Sequence, residues 1–392
     1  MSPEQDEVGP IGQLYVAVDS PAVSEESSDS SGVSEAVAPK TELLGMELTE
    51  LTQFFVAHGF EKFRGEQIYI WLYRRGAVHF DEMTDLPKQL RAWLAEHAVI
   101  GYPEMVRVLE SSDGSHKALF KLDDNRAIES VLMPEKDWKT LCLSSQVGCA
   151  VACSFCMTGF GGFRRQLRTA EIVAQVLAVK RYLNGGEFPR NLVFMGQGEP
   201  LNNLDNLIPA LRLLTDPNGI GIGARRITVS TSGVVPGIRR LGEAGLGVNL
   251  AISLNGSNDE IRTQIMPINK RWPIAQLLNA CRTFPMKSNR RITFEYVMLS
   301  GQNDSLREAR ELAELLKGLP AKVNLIPWNP DPRLPWKRPS DDRIEAFRNY
   351  LSDCRYTTTV RYSKALDVGG ACGQLAGHYE HEQSQAGREF HL

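Results

Sequence analysis

From residue 140 onward, short apolar and β-branched runs alternate with amphipathic stretches of helical period, and this alternation narrows the possible folds most. It predicts strands at 140–144, 191–195, 226–231, 247–253, 292–299, 322–326 and 356–361, and helices at 170–183, 204–214, 235–244, 274–284, 305–316 and 341–352. A helix-length connection separates each strand from the next, as a parallel pair needs for its crossover. The expected class is α/β. Seven strands at most fall short of the eight that close a barrel, so an open, partial (β/α)6-type barrel is expected. In such sheets chemistry collects at the carboxyl ends of the strands. Cys149, Gly198, Glu199, Ser230, Ser253, Leu254, Asn255, Trp328 and Asn329 all fall at or just after an expected strand end, so they should converge on one rim.

The rest of the chain frames this barrel. Residues 1–40 hold eight acids and one base among serines and alanines, and read as a disordered acidic tail. Residues 41–105 read as a small helical accessory domain, with helices across Leu43–Val56, Phe63–Ala77 and Leu86–His97. Residues 106–139 alternate as strands around a turn at Asp113–Gly114, a β-hairpin extension leading into the sheet. The barrel with its C-terminal loop is assigned to 140–375, and a tail to 376–392. The apolar runs are strand-sized, far below the ~20 residues of a membrane span. Glu4, Asp6 and Glu7 stand where a secretory signal would carry bases, so a cytoplasmic protein with no membrane partner is expected. The net charge of −3 conceals a basic body: beyond residue 40 there are 43 basic and 39 acidic residues, a formal +4. Neighbouring bases such as Arg164–Arg165 and Lys337–Arg338 permit an RNA partner without establishing one.

Seven cysteines in a reducing compartment point to metal ligation or catalysis before disulfides. Cys149, Cys153 and Cys156 form a C-x3-C-x2-C loop. Three thiolates can each hold one iron of a [4Fe–4S] cluster and leave the fourth iron open to a ligand, whereas electron-transfer clusters normally have four cysteines. Structural zinc, the competing reading, wants four ligands. Residues 149–372 contain no histidine, so none is available within the barrel. The segment Gly196-Gln197-Gly198-Glu199-Pro200 adds glycines that admit close backbone approach and a carboxylate suited to an ammonium group.

On these motifs the chain resembles the radical S-adenosylmethionine (SAM) enzymes: CAVACSFC with Phe155 before the last cysteine, and GQGEP after the second strand. Over residues 41–380 it is similar, more narrowly, to the RlmN-type dual-specificity RNA adenine-C2 methyltransferases. The stretches that carry this are FRGEQIYIWLYRRG, FDEMTDLP, TLCLSSQVGC, FMGQGEPLNN, RRITVSTSGVVP, MPINK, EYVML, NLIPWNP and ACGQLAG. The resemblance implies that SAM chelates the open iron and is split to a 5′-deoxyadenosyl radical. It implies two SAM molecules per turnover, with 23S ribosomal RNA and tRNA as substrates. In tRNA the target is the adenosine 3′ to the anticodon.

Residue by residue, the resemblance makes Cys372 the cysteine that a first SAM methylates, a role that suits a thiolate nucleophile. It makes Cys142 the cysteine that resolves the link between protein and RNA, leaving a Cys142–Cys372 disulfide. Glu129 matches the proton acceptor, a role for which Cys142 also stands. Gly198, Glu199, Ser230, Ser253, Leu254, Asn255 and Asn329 match SAM contacts; Asn255 stands where the family often has histidine. An electron donor such as flavodoxin or ferredoxin and a disulfide reductant are implied, and nothing demands more than a monomer. The adenine-C8 enzymes of the Cfr type share the cysteine set and are the alternative. Cys281 and Cys354 match nothing catalytic and read as packing residues.

Overall fold

A computed structural model describes residues 40–183, 186–287 and 289–375. The acidic tail up to residue 39 and the tail from 376 lie outside the described residues. Ten strands form one sheet: β1 (Glu104–Glu110), β2 (His116–Lys121), β3 (Ala127–Pro134), β4 (Lys139–Cys142), β5 (Asn191–Phe194), β6 (Ile227–Thr231), β7 (Asn249–Ser253), β8 (Ile292–Met298), β9 (Ala321–Pro327) and β10 (Thr357–Val360). Their order in space is their order in the chain. β1 to β4 pair antiparallel, and β4 to β10 are all parallel. β10 and β1 are edges, so the parallel part is the open barrel that the alternation predicts.

Six helices make the crossovers: α4 (Thr169–Tyr182), α5 (Leu204–Thr215), α6 (Val235–Glu243), α7 (Ile274–Thr283), α8 (Leu306–Leu315) and α9 (Asp341–Asp353). Local chemistry sets their starts. Ser305 and Glu308 close a capping box on α8, and the Ser340 hydroxyl accepts from the Arg343 amide on α9. Strand burial is as a covered parallel sheet demands: in β8 only Val297 escapes full burial. The expected hairpin is a three-stranded meander, because the Asp124–Asn125 corner, with Asn125 at φ 61°, adds a second turn. A short helix at Asp259–Ile265 was not expected.

The N-terminal helices are α1 (Leu48–Ala57), α2 (Phe63–Tyr69) and α3 (Lys88–His97). α1 starts later than its apolar pattern suggests. Glu47 and Glu50 form a capping box there, and Thr41–Glu42 pair with Ala98–Val99 as short strands. α2 runs on through a wider π-type turn, Ile70–Arg75, and stops at Gly76, left-handed at φ 74°. Leu51, Ile68 and Leu72 belong to one apolar cluster with Ile172 and Val176 of α4. The Tyr69 hydroxyl donates to Asp216 at 2.6 Å, fixing this module to the end of α5.

Candidate active site

The carboxyl ends of the parallel strands line an open cavity of about 950 Å³, counted with the solvent at its mouth. Cys149, Cys153 and Cys156 line it, with Gly198, Glu199, Ser230, Ser253, Asn255, Asn329 and Cys372. The rim rule therefore holds for residues drawn from most of the chain. Leu254 is fully buried behind the cavity, where its amide donates to the Glu295 carbonyl at 3.0 Å.

Hydrogen bonds hold the cysteine loop on every side. Cys149 N–H donates to Gly162, and Ser154 N–H to Ile265. The indole N–H of Trp336 donates to Ser154 at 2.8 Å and that of Trp328 to Phe155 at 3.2 Å. Burial pushes the Cys149 thiol up to about 12 and raises Cys153 and Cys156 as well. These thiols ionise readily only beside a cation, which is what bound iron supplies. Among the described residues no three histidine, cysteine or carboxylate side chains meet closely enough to hold a single ion. Three thiols from one loop on one cavity wall suit one thiolate per iron of a cluster.

The GQGEP segment locks onto the strand end before that loop. Gly196 N–H donates to Leu143, and the amides of Ser145 and Gln146 both donate to the Gln197 carbonyl. Gly198 sits at φ 99°, where an added Cβ would lie 2.5 Å from the Gln146 Cβ, so only glycine fits. Glu199 is 3% exposed. Its Oε1 accepts from Leu201 N–H at 3.0 Å, and its Oε2 from the Ser232 amide and hydroxyl at 2.7 and 2.6 Å. Burial raises its carboxyl while these donors pull it down. Asn255 is left-handed at φ 57°, a conformation asparagine tolerates. Its side chain accepts from Val297 N–H at 2.9 Å and donates to the Met266 sulfur.

The segment after β10 carries Cys372 and is fastened at both ends. On the cysteine-loop side, Met157 N–H donates to Gly373 at 2.7 Å and the Thr158 hydroxyl to Leu375 at 2.6 Å. Asn329 donates to Ser363 at 2.8 Å and to the Cys372 carbonyl at 3.2 Å. On the meander side, Ser111 and Ser112 donate to Asp367, and Ala365 N–H donates to Asp113. Cys142, at the end of β4, packs with Val131, Met133, Ala365 and Leu375 beneath this segment. Burial first, then the neighbouring Cys372, pushes the Cys142 thiol up to about 12, and Arg361 opposes both.

Glu129 is not among the cavity-lining residues. It is 2% exposed on β3, and its Oε1 meets Lys117 Nζ at 3.0 Å. Lys117 in turn donates to the Gly369 carbonyl at 3.5 Å. Arg165 is committed to Glu171 and Asp124, and Arg168 to Asp123 and Glu42. Arg338 pairs with Asp341. Cys281 is buried on α7, and Cys354 is exposed after α9.

Three residues escaped the sequence reading. Arg262 is 1% exposed and ties the strand ends together, donating to the Leu254 and Ser232 carbonyls and to Asn269. Glu295 and Arg361 both line the cavity. Glu295 had a signal, a lone acid inside an apolar strand. Arg361 had another, its place at the last strand's carboxyl end.

Comparison with known proteins agrees with this geometry. Residues 41–100 match the ribosomal RNA large subunit methyltransferase N-terminal domain, and residues 143–316 match the radical SAM superfamily. The chain is 49% identical over 355 residues to the dual-specificity RNA methyltransferase RlmN of Geobacter sulfurreducens, covering 90% of this chain and 96% of that one. It is 48% identical over 361 residues to RlmN 2 of Myxococcus xanthus, covering 90% and 94%. Among solved structures, a radical SAM methyltransferase from Sphaerobacter thermophilus superposes with a TM-score of 0.82 at 46% identity, over 86% of this chain and 99% of that one.

Proposed function

The chain belongs to the RlmN family of radical SAM RNA methyltransferases, which use a [4Fe–4S] cluster and SAM, and from that premise we propose that it methylates C2 of adenosine in 23S ribosomal RNA and in tRNA. The choice of C2 over C8 rests on the full-length similarity to RlmN, and the observation that carries the methyl-cysteine route is the pair of further cysteines. Cys372 lines the same cavity as the cluster cysteines, and Cys142 lies close enough for the two sulfurs to feel each other's charge.

Adenine C2 is an electron-poor, unactivated carbon, so polar transfer from SAM does not reach it. When bound, the cluster and SAM supply a carbon radical able to take a hydrogen atom from a methyl group. The protein's part is to hold the pieces. Cys149, Cys153 and Cys156 would each hold one iron of the cluster. Gly198, Glu199, Ser230, Ser253, Asn255 and Asn329, which line the cavity, would hold SAM, Glu199 suiting its ammonium group and the hydroxyls and amides its carboxylate and ribose, with Leu254 packed behind them. The Cys372 thiolate would attack the methyl carbon of one SAM, with S-adenosylhomocysteine leaving, and would deliver that carbon, less one hydrogen atom, to C2 when a second SAM is consumed. Cys142, as a thiolate, would then attack the Cys372 sulfur; the RNA-borne carbon leaves with the bonding electron pair and takes up a proton to complete the methyl group, and a Cys142–Cys372 disulfide remains. A dithiol reductant restores both thiols, and a flavodoxin or ferredoxin supplies the cluster's electron. Glu129 or Cys142 accepts the C2 proton. With these RNA substrates the expected compartment is the cytoplasm.

The test is Cys372→Ala in anaerobically reconstituted protein. We expect cluster absorbance to survive and RNA methylation to vanish. Turnover by this variant at the wild-type rate would refute the two-cysteine mechanism.

A further inference from the structure

We propose that Glu295 and Arg361 are the residues that recognise the target base as adenine; the proposal rests on the methyltransferase reading above. Glu295 sits in the middle of β8, is 4% exposed and lines the cavity. Its Oε1 accepts from Asn324 on β9 at 3.1 Å. Its Oε2 is buried, and among the described residues nothing donates to it. A buried carboxylate oxygen with no donor, at a cavity wall, marks where a ligand N–H or O–H belongs.

Arg361 lines the same cavity from the end of β10. Its Nη1 donates to the Met195 sulfur at 3.5 Å, and among the described residues no carboxylate oxygen lies within 4.0 Å of it. Its strongest electrostatic neighbour is Cys372, followed by Glu295 and Cys142. A guanidinium donor, a carboxylate acceptor and the reacting sulfur therefore line one cavity.

Adenine presents a matching series along its Watson–Crick edge: the 6-amino donor, the N1 acceptor, then C2. With the amino group on Glu295 Oε2 and N1 on Arg361, C2 faces Cys372. The same donor–acceptor–carbon series runs along the other edge as the amino group, N7 and C8. The pair thus specifies adenine, and the entering edge specifies the carbon. Guanine would set its O6 against the carboxylate and its N1–H against the guanidinium, two mismatched contacts in a desolvated site.

The test uses full-length holoenzyme and two RNA hairpins that differ only at the target, adenosine or purine riboside, which lacks the 6-amino group. Competing them gives the ratio of kcat/KM values. We expect the wild type to favour adenosine by about 10- to 100-fold, the size of a hydrogen bond to a charged group. Glu295→Met should bring the ratio to within about threefold of unity. Arg361→Met should slow both hairpins alike and keep the ratio, because the ring nitrogens are common to both. Glu295→Gln, which keeps the shape and loses the charge, reads the same ratio if the apolar variant fails to hold its cluster. A wild-type ratio in the Glu295 variants overturns the proposal. So does weaker SAM binding with the ratio unchanged, which would assign the carboxylate to SAM. A wild type that methylates neither hairpin refutes the methyltransferase reading itself.

Discussion

Replacing Lys117 with methionine should destabilise the protein far more than a change at one strand position normally does. Lys117 Nζ and Glu129 Oε1 are 3.0 Å apart, with side chains 7% and 2% exposed. Their strands are neighbours, with Lys117 opposite Val131 and Glu129 opposite Leu119, so the pair is a diagonal cross-strand contact. Removing one partner strands a charge that water cannot reach, at a cost of about 3–5 kcal/mol. Removing both is different. Glu129 Oε2 already lacks a donor, so the pair is incompletely satisfied, and an apolar replacement of similar volume should be within about 1 kcal/mol of wild type or better. The cycle of Lys117→Met, Glu129→Leu and the double variant should therefore give a coupling of at least about 5 kcal/mol. Urea unfolding of cluster-free, reduced protein reads it, with fluorescence and circular dichroism required to coincide. The reasoning is refuted if Lys117→Met lies within about 1 kcal/mol of wild type and the cycle is additive.

Other expectations follow from the same geometry. Cys142→Ala should stall after carbon–carbon bond formation and accumulate protein covalently bound to RNA, visible as a shifted band on a denaturing gel; lost activity without that adduct would give Cys142 another role. Gly198→Ala should weaken SAM binding at least tenfold by equilibrium dialysis, since its Cβ would meet Gln146 at 2.5 Å in a left-handed conformation; unchanged affinity would contradict the close packing drawn there. The Ser111 hydroxyl and Ser112 amide hold the Asp367 carboxyl down to about 2. Its folded value lies below the unfolded one, so its contribution is complete above about pH 4 and is lost as pH falls toward 2. Hydrogen exchange of residues 363–373 in cluster-free protein, corrected for intrinsic rates, should quicken across that window, and Asp367→Asn should be quick already at neutral pH. Equal protection in variant and wild type would mean the segment is held by its other contacts.

The barrel was legible because its signals are local and repeated. Every expected strand from 140 to 361 is present; the central ones are buried on both faces as covered parallel strands are, while β10, Thr-Thr-Thr-Val, is a half-exposed edge. The converging site was legible for the same reason: Cys149, Glu199 and Asn329 follow strands, Ser230 and Ser253 sit in the last residues of theirs, and parallel order brings those ends together. What escaped depends on partners distant in sequence. The start of α1 is set by a Glu47–Glu50 box that overrides the apolar run before it. The segment that carries Cys372 is fixed by Ser111, Asp113 and Lys117, more than 250 residues away. Spacing alone cannot tell that Glu129 faces Lys117 or that Arg165 is taken by Glu171. Nor can it tell that Glu295 ends with one oxygen unsatisfied.

The most direct test of the account uses SAM whose methyl group is fully deuterated. Reconstituted protein, reductant and an unmodified 23S RNA fragment are incubated without oxygen, the RNA is digested, and methyladenosine is identified by chromatography and mass spectrometry. The account predicts 2-methyladenosine whose methyl group has lost one deuteron, because a methyl on Cys372 must give up a hydrogen before it can bond to C2. A fully deuterated methyl group would contradict the route through Cys372, and 8-methyladenosine would contradict the assignment of the carbon.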